Sequence, residues 1–381
     1  MIAQKYCTRS LFKWLSDDIV FISGLIKERN RLQAKEDERV MAVTIKDVAK
    51  KANVAPSTVS RVISDNPRIS DATKKRVRKA MEELGYHPNV NARNLAIRST
   101  QAIGVIMPSS AETSLQNPFF PEVLRGIGSM ALETGYSLYV STGGDDTQSF
   151  EEVKRMVYGN RVDGIILLYS RRNDPIMNFL VKEKFPFVLV GKPYKRESQI
   201  TYVDNDNIQA SKKVTEHLIE LGHRRIAYLG GTTDLVVTTD RLDGYKQALL
   251  AAEIPINEKF IIHDEFLRSS GRKAVEKLFS FSEPPTAILV ADDMMSLGVI
   301  NMLEELGIEC PEDVSITSFN NLYLSEITRP SLTTVDINIY SLGIQSAKSL
   351  IERLKSKDEP VKRVIVPFEI KYRNSTRALT E

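Results

Sequence analysis

The sequence predicts an N-terminal all-α helix-turn-helix head joined to a two-lobed α/β body of doubly wound parallel sheets. Three observations lead there. Residues 44–98 read as short helices only. From 101 onward, continuous Val/Ile/Leu runs alternate with amphipathic stretches, as strands buried on both faces alternate with covering helices. The formal net charge of +3 is also uneven: +7 over 41–100, +2 over 1–40 and −6 over the rest.

The head rests on TIKDVAKKANVAPSTVSRVIS (44–64). Thr44 suits a helix N-cap, with Asp47 at N3 near the positive helix end. Ile45, Val48 and Ala49 repeat at i, i+3, i+4 as one apolar face. Ala52-Asn53-Val54 reads as a three-residue turn, because Asn tolerates left-handed backbone. Pro56 fits the first turn of a second helix that runs through Val62-Ile63. Ala55 caps that helix poorly, at a cost of about 0.5–2 kcal/mol against Ser. Val59 with Val62 or Ile63 faces the first helix, which turns Pro56, Ser57, Ser60 and Arg61 outward. A third helix is capped by Ser70, formed by Thr73 to Leu84 and stopped by Gly85. This is a helix-turn-helix whose second helix is free to enter a major groove. Charge alone equally fits a solvated, Lys-rich surface on a three-helix cap without DNA.

A second element follows in HPNVNARNLAIRS (87–99). Pro88 opens it, Ala92, Leu95 and Ala96 share one side, and Arg93 and Arg98 add charge. Isolated helices under about 12–15 residues are marginal in water, so this one is expected to order only against a partner. A two-fold mate and a minor groove would supply one, with Leu95 as a wedge between base steps. By spacing alone it is equally a charged linker. Residues 1–40 stand outside this pattern, and Met41 opens MAVTIKDVAK like a natural start. The expected organisation is therefore a misassigned upstream extension or a poorly ordered tail (1–40), a DNA-binding head (41–87), a hinge (88–99) and the body (100–381).

In the body the strands are expected at 102–107, 136–141, 162–168, 186–191, 225–230, 286–291 and 314–319. Helices are expected at 121–134, 208–221, 272–280 and 294–306. They form about two sets, one on each side of residue 205. Two lobes with a cleft between them follow.

Several classes are excluded. Cys7 and Cys310 are far apart, and His87, His217, His223 and His263 lack metal-ligand spacing. The expectation is a reducing cytoplasm, with no metal and no cofactor. The apolar run at 19–26 is far short of the ~18 residues of a membrane span. No phosphate-binding GxxxxGK[ST] loop and no GxSxG elbow occur, so no catalytic residue is assigned.

The head, with YHPNVNARNLA after it, resembles the lactose-repressor (LacI/GalR) family of bacterial regulators. In the body, the resemblance includes NPFFPEVLRGI (117–127), VDGIILLYS (162–170), YVDNDN (202–207), DRLDGYKQAL (240–249), RPSLTTVDI (329–337) and the long run at 288–321. It covers roughly 44–377. The runs NPFFPEVLRGI, MVYGNRVDGIILLYS, VDNDN and DEF are most similar to maltose-operon repressors of Gram-positive bacteria. The resemblance implies a periplasmic-binding-protein-like sensor body and a homodimer on a pseudo-palindromic DNA operator. It places Pro56, Ser57 and Arg61 at base edges, with Thr44, Thr58 and Ser60 beside them, and Asn89, Ala92, Arg93 and Leu95 at the minor groove.

The cleft residues it implies are Phe119, Phe120, Tyr169, Lys192, Arg241, Phe266, Asp293 and Asn320. Arg241 and Asp293 are expected to hold adjacent hydroxyls, and Phe266 to stack on a sugar ring. Simpler roles stay open: Phe119 and Phe120 as core, Arg241 as a lobe-bridging ion pair, one of Asp292-Asp293 as a helix cap. Asn320-Asn321 replaces the carboxylate pair common there in the family. The implied function is repression relieved by maltose or a maltodextrin. A corepressor-dependent catabolite regulator, and a sugar-binding transport or enzyme-like module without DNA function, are the alternatives. No heptad repeat follows RNSTR (373–377), which points to a dimer rather than a coiled-coil tetramer.

Overall fold

The computed structural model describes residues 43–86, 99–108, 114–141, 143–356 and 359–379. The chain divides into two compact units, Met1–Ile97 and Arg98–Glu381. The expected extension (1–40) and most of the expected hinge lie outside the described residues.

In the first unit, α1 (Ile45–Ala52), α2 (Pro56–Ile63) and α3 (Asp71–Leu84) surround a small core. The Asp47 carboxylate accepts the Thr44 backbone N–H at 2.9 Å and its hydroxyl at 2.6 Å, which fixes the start of α1. Asn53 takes a left-handed φ of 50° to make the turn, and Gly85 closes α3 at φ 63°. Ala55 caps α2 without a side-chain bond. Val48, Ala49 and Ala52 meet Val59, Val62, Val77 and Ala80 inside. Val62 is the buried member of the Val62-Ile63 pair, and Ile63 packs at the margin.

The second unit holds two six-stranded sheets. The first lobe runs β1 (Ala102–Ile106), α4 (Phe119–Thr134), β2 (Ser137–Val140), α5 (Asp146–Tyr158), β3 (Gly164–Leu167), α6 (Pro175–Lys182), β4 (Phe187–Val190) and β5 (Tyr202–Asp204). The second lobe runs α7 (Asn207–Glu220), β6 (Ile226–Gly230), α8 (Val236–Ala251), β7 (Ile261–His263), α9 (Arg268–Leu278), β8 (Ala287–Val290), α10 (Asp293–Leu306), β9 (Ser315–Phe319), α11 (Leu324–Ile327) and β10 (Thr333–Asp336). A 3-10 turn, Glu258–Phe260, precedes β7.

The division near 205 marks only the first crossing. The chain returns to the first lobe with α12 (Ile339–Lys355), which packs on α4, and with β11 (Arg363–Ile365). It crosses again to end the second sheet with β12 (Glu369–Lys371). The strand orders are β2-β1-β3-β4-β5-β11 and β7-β6-β8-β9-β10-β12, parallel throughout except for antiparallel β12. Buried Asn205 ties the three crossings together, donating through Nδ2 to the Ile337 carbonyl at 3.0 Å and to that of Val366 at 2.8 Å. Gly126 and Gly343 let α4 and α12 touch through their backbones; a side chain at either would collide with the partner's carbonyl.

Candidate functional site

Two surfaces carry chemistry, one in each unit. On the head, Thr44, Pro56, Ser57, Ser60 and Arg61 are exposed and Thr58 is half-buried. The second helix thus presents hydroxyls and one guanidinium along a single face, because Val59 and Val62 take the other face inward. Asn89, Ala92, Arg93 and Leu95 lie outside the described residues.

In the second unit the lobes enclose a cleft cavity of about 420 Å³. Its walls are the segments that follow the strand ends: Tyr169 after β3, Lys192 after β4, Asn205 after β5, Asp292 after β8 and Asn320 after β9. Ligands of open parallel sheets bind at such ends. Of the expected residues, Phe119, Phe120, Tyr169, Lys192, Arg241, Phe266 and Asn320 all line this one cavity. Phe119 and Phe120 meet edge to face at 5.2 Å, and both line the cavity and pack on the core. Phe266 faces the cavity from the second lobe, over a bare Gly231 that leaves space for its ring.

Arg241 is 4% exposed. Nε donates to Asn207 Oδ1 at 2.9 Å, Nη1 donates to the Ala291 carbonyl at 2.6 Å, and the guanidinium lies 4.1 Å from the Phe319 ring centroid. These partners are neutral and belong to the second lobe, so Arg241 is not a lobe-bridging ion pair. It is a preoriented cation anchored at one edge.

Asp293 does not line this cavity. It is fully buried behind the cleft, where Oδ2 accepts the Leu322 N–H at 2.7 Å and Oδ1 accepts the Thr334 hydroxyl at 3.0 Å. As the first residue of α10 it turns back toward β9 and β10, and burial raises its carboxyl to about 7. Asp292 holds the cleft position instead. Its extended backbone (φ −161°) lets Oδ1 cap α10 through the N–H groups of Met294 (2.7 Å) and Met295 (3.3 Å). Its Oδ2 lies at the cavity and accepts Nδ2 of Asn320 (2.8 Å) and of Asn117 (3.1 Å). Burial raises this carboxyl to about 6, while the Asn117 amide and the helix N–H groups pull it down. The carboxylate absent at 320 is thus supplied from 292. Asp204 is the second buried acid that lines the cavity; burial raises it to about 7, and it accepts from Lys192 N (3.1 Å) and Asn207 Nδ2 (3.0 Å).

The sequence reading missed Asn117, Asp204 and Asn205 as cavity residues, although two of them immediately end or follow a strand. It also missed the rim. There Ser170 and Arg172 of the first lobe bond the second lobe through backbone, Val236 N to Ser170 O at 3.0 Å and Arg172 N to Asp234 O at 2.9 Å. Between them Arg171 pairs with Asp146 at 2.9 Å and reaches Asp234 at 3.3 Å. Among the described residues no group of His, Cys, Asp and Glu is arranged for a metal, and no helix is long and apolar enough to cross a membrane.

Comparison with known proteins fits this division. Residues 44–89 match the model for bacterial regulatory proteins of the lacI family, and 215–376 match the periplasmic binding protein-like domain. The HTH-type transcriptional regulator MalR of Streptococcus pneumoniae is 43% identical over 82% of this chain and 93% of its own. The chain belongs to the lacI family. Like other lacI-family members it is a DNA-binding transcriptional repressor, not an enzyme. Two solved lacI-family structures are similar over most of their length. The lac repressor dimer bound to operator and the anti-inducer ONPF aligns at TM-score 0.77 and 26% identity, covering 88% of this chain and 99% of that one. The transcriptional regulator CelR in complex with cellobiose aligns at TM-score 0.69 and 32% identity, covering 87% and 99%.

Proposed function

We propose that this lacI-family repressor is controlled by maltose or a short maltodextrin, which relieves repression of maltose-use genes. The observation that carries the reading is the cleft wall. Aromatic faces stand on both lobes, Phe119, Phe120 and Tyr169 on one and Phe266 on the other, with Arg241, Lys192, Asp292 and Asn320 between them. Flat apolar faces with a few fixed polar groups suit the faces and hydroxyl edges of pyranose rings. Platforms on both lobes suit two rings better than one. The pneumococcal relative named MalR, and a relative solved with a disaccharide, favour the same class.

On this reading two copies bind a pseudo-palindromic operator through Pro56, Ser57 and Arg61, with Thr44, Thr58 and Ser60 alongside. Asn89, Ala92, Arg93 and Leu95 enter the minor groove. The sugar shifts the dimer between states only as far as its affinity differs between them. The site of action is the cytoplasm. Calorimetric titration of the whole chain tests the effector. Maltose or maltotriose is expected to bind, with glucose and glucose 6-phosphate far weaker; tighter binding of the phosphorylated sugar would replace relief by corepression.

A further inference from the structure

Asp292 is a carboxylate held by both lobes. From its own lobe it accepts the α10 N–H groups and the Asn320 amide; from the other it accepts Asn117 Nδ2 at 3.1 Å. The Asn117 amide is not free to swing. Its Oδ1 accepts the Phe119 N–H at 3.0 Å in the first turn of α4, which leaves Nδ2 directed across the cleft. Another side-chain link between the lobes, Arg171 to Asp234, also lines the cavity but ends on a solvent-exposed carboxylate, whereas the Asn117 link ends on the buried Asp292.

We propose that Asn117 is a positioning residue for effector recognition: it orients the Asp292 carboxylate at the cavity and makes that orientation depend on lobe closure. The proposal rests on the cleft being the sugar site. A carboxylate offers about four lone-pair directions, and four donors occupy those of Asp292. A ligand hydroxyl gains access by sharing or replacing one of them. Three belong to the same lobe and two of those are helix backbone, so the Asn117 bond is the one that closure makes and breaks. The charged groups facing this carboxylate are Arg241 of α8, which favours its ionised form, and buried Asp293 beside it.

Asn117→Asp turns the link into two facing carboxylates, which accept closure only when they share a proton. For this variant, maltose affinity is expected to be weak at pH 8.5 and to recover about tenfold or more at pH 6.5, the scale of a bond to a charged group. Asn117→Ala is expected to bind weakly at both values, and the wild type to vary little. Melting curves without sugar should show the same added pH dependence for Asn117→Asp. An Asn117→Asp pH profile no steeper than the wild type's in both measurements, or Asn117→Ala binding like wild type, overturns the proposal. If Asn117→Asp fails to fold, a cycle of Asn117→Ala, Asp292→Asn and the double variant decides, with independent effects as the contrary result. A wild type that ignores maltose would sink the sugar reading, while the sugar-free melting curves would still judge the link between lobes.

Discussion

In the head, charges sit at the surface and pair there. Asp65 pairs with Lys74 and Arg78, Glu83 pairs with Lys51, and the groups proposed to read DNA are exposed along one helix face. In the sensor unit, Arg241, Asp204, Asp292 and Asp293 are almost wholly buried, and each is held by amides, hydroxyls or backbone groups. The difference separates two kinds of functional residue. An exposed reader is replaceable at little cost to folding, whereas a buried binder belongs to a network whose every member is stabilised by the rest.

The largest effect should come from the buried side. Asp293→Ala orphans the Leu322 N–H and the Thr334 hydroxyl and should destabilise the sensor unit by about 2–4 kcal/mol. Urea unfolding checks this. Normal stability with a lost sugar response would instead return Asp293 to the ligand. On the exposed side, Arg61→Ala should weaken specific operator binding by about 1–3 kcal/mol and leave the maltose-induced thermal shift intact. Joint loss of both functions would erase the proposed division. The smallest effect concerns pH. The raised carboxyls of Asp204 and Asp293, near 7, and of Asp292, near 6, contribute stability that is complete below the unfolded value and lost as pH rises through them. Half-buried His217 and buried His223 oppose this, since desolvation lowers both and their contribution is lost as pH falls through the unfolded value. The head carboxyls Asp47, Asp65 and Glu83 are held low, by Thr44, Lys74 and Lys51 respectively, so the head loses stability only in stronger acid. Calorimetry should therefore place the sensor transition about 2–4 °C higher at pH 6 than at pH 8, with the head unchanged; a head that shifts more than the sensor contradicts this.

The head was legible because helical period fixes which side faces in: once Val59 and Val62 are inward, Ser57, Ser60 and Arg61 must face out. The parallel strands with continuous apolar runs were legible. The strands β5, β7, β11 and β12 were not, being only three residues long, nor was β10, whose Thr333-Thr334-Val335-Asp336 is mostly polar, and β11 pairs far back in sequence with β5. For the same reason the second and third crossings between lobes left no local pattern. The cleft residues came through the family resemblance, which identified seven that share one cavity. The error at Asp292-Asp293 has a geometric cause. Neighbours at a helix start point in different directions, and only the extended N-cap conformation decides which one reaches the cleft. Asn117 escaped notice because its partner lies 175 positions away.

The most direct test is equilibrium binding of the whole chain to the promoter duplexes nearest its gene, against random competitor, across salt and with maltose added. The expected result is a salt-sensitive preference for one duplex that maltose abolishes. Equal affinity for promoter and competitor at every salt and sugar concentration would contradict the account.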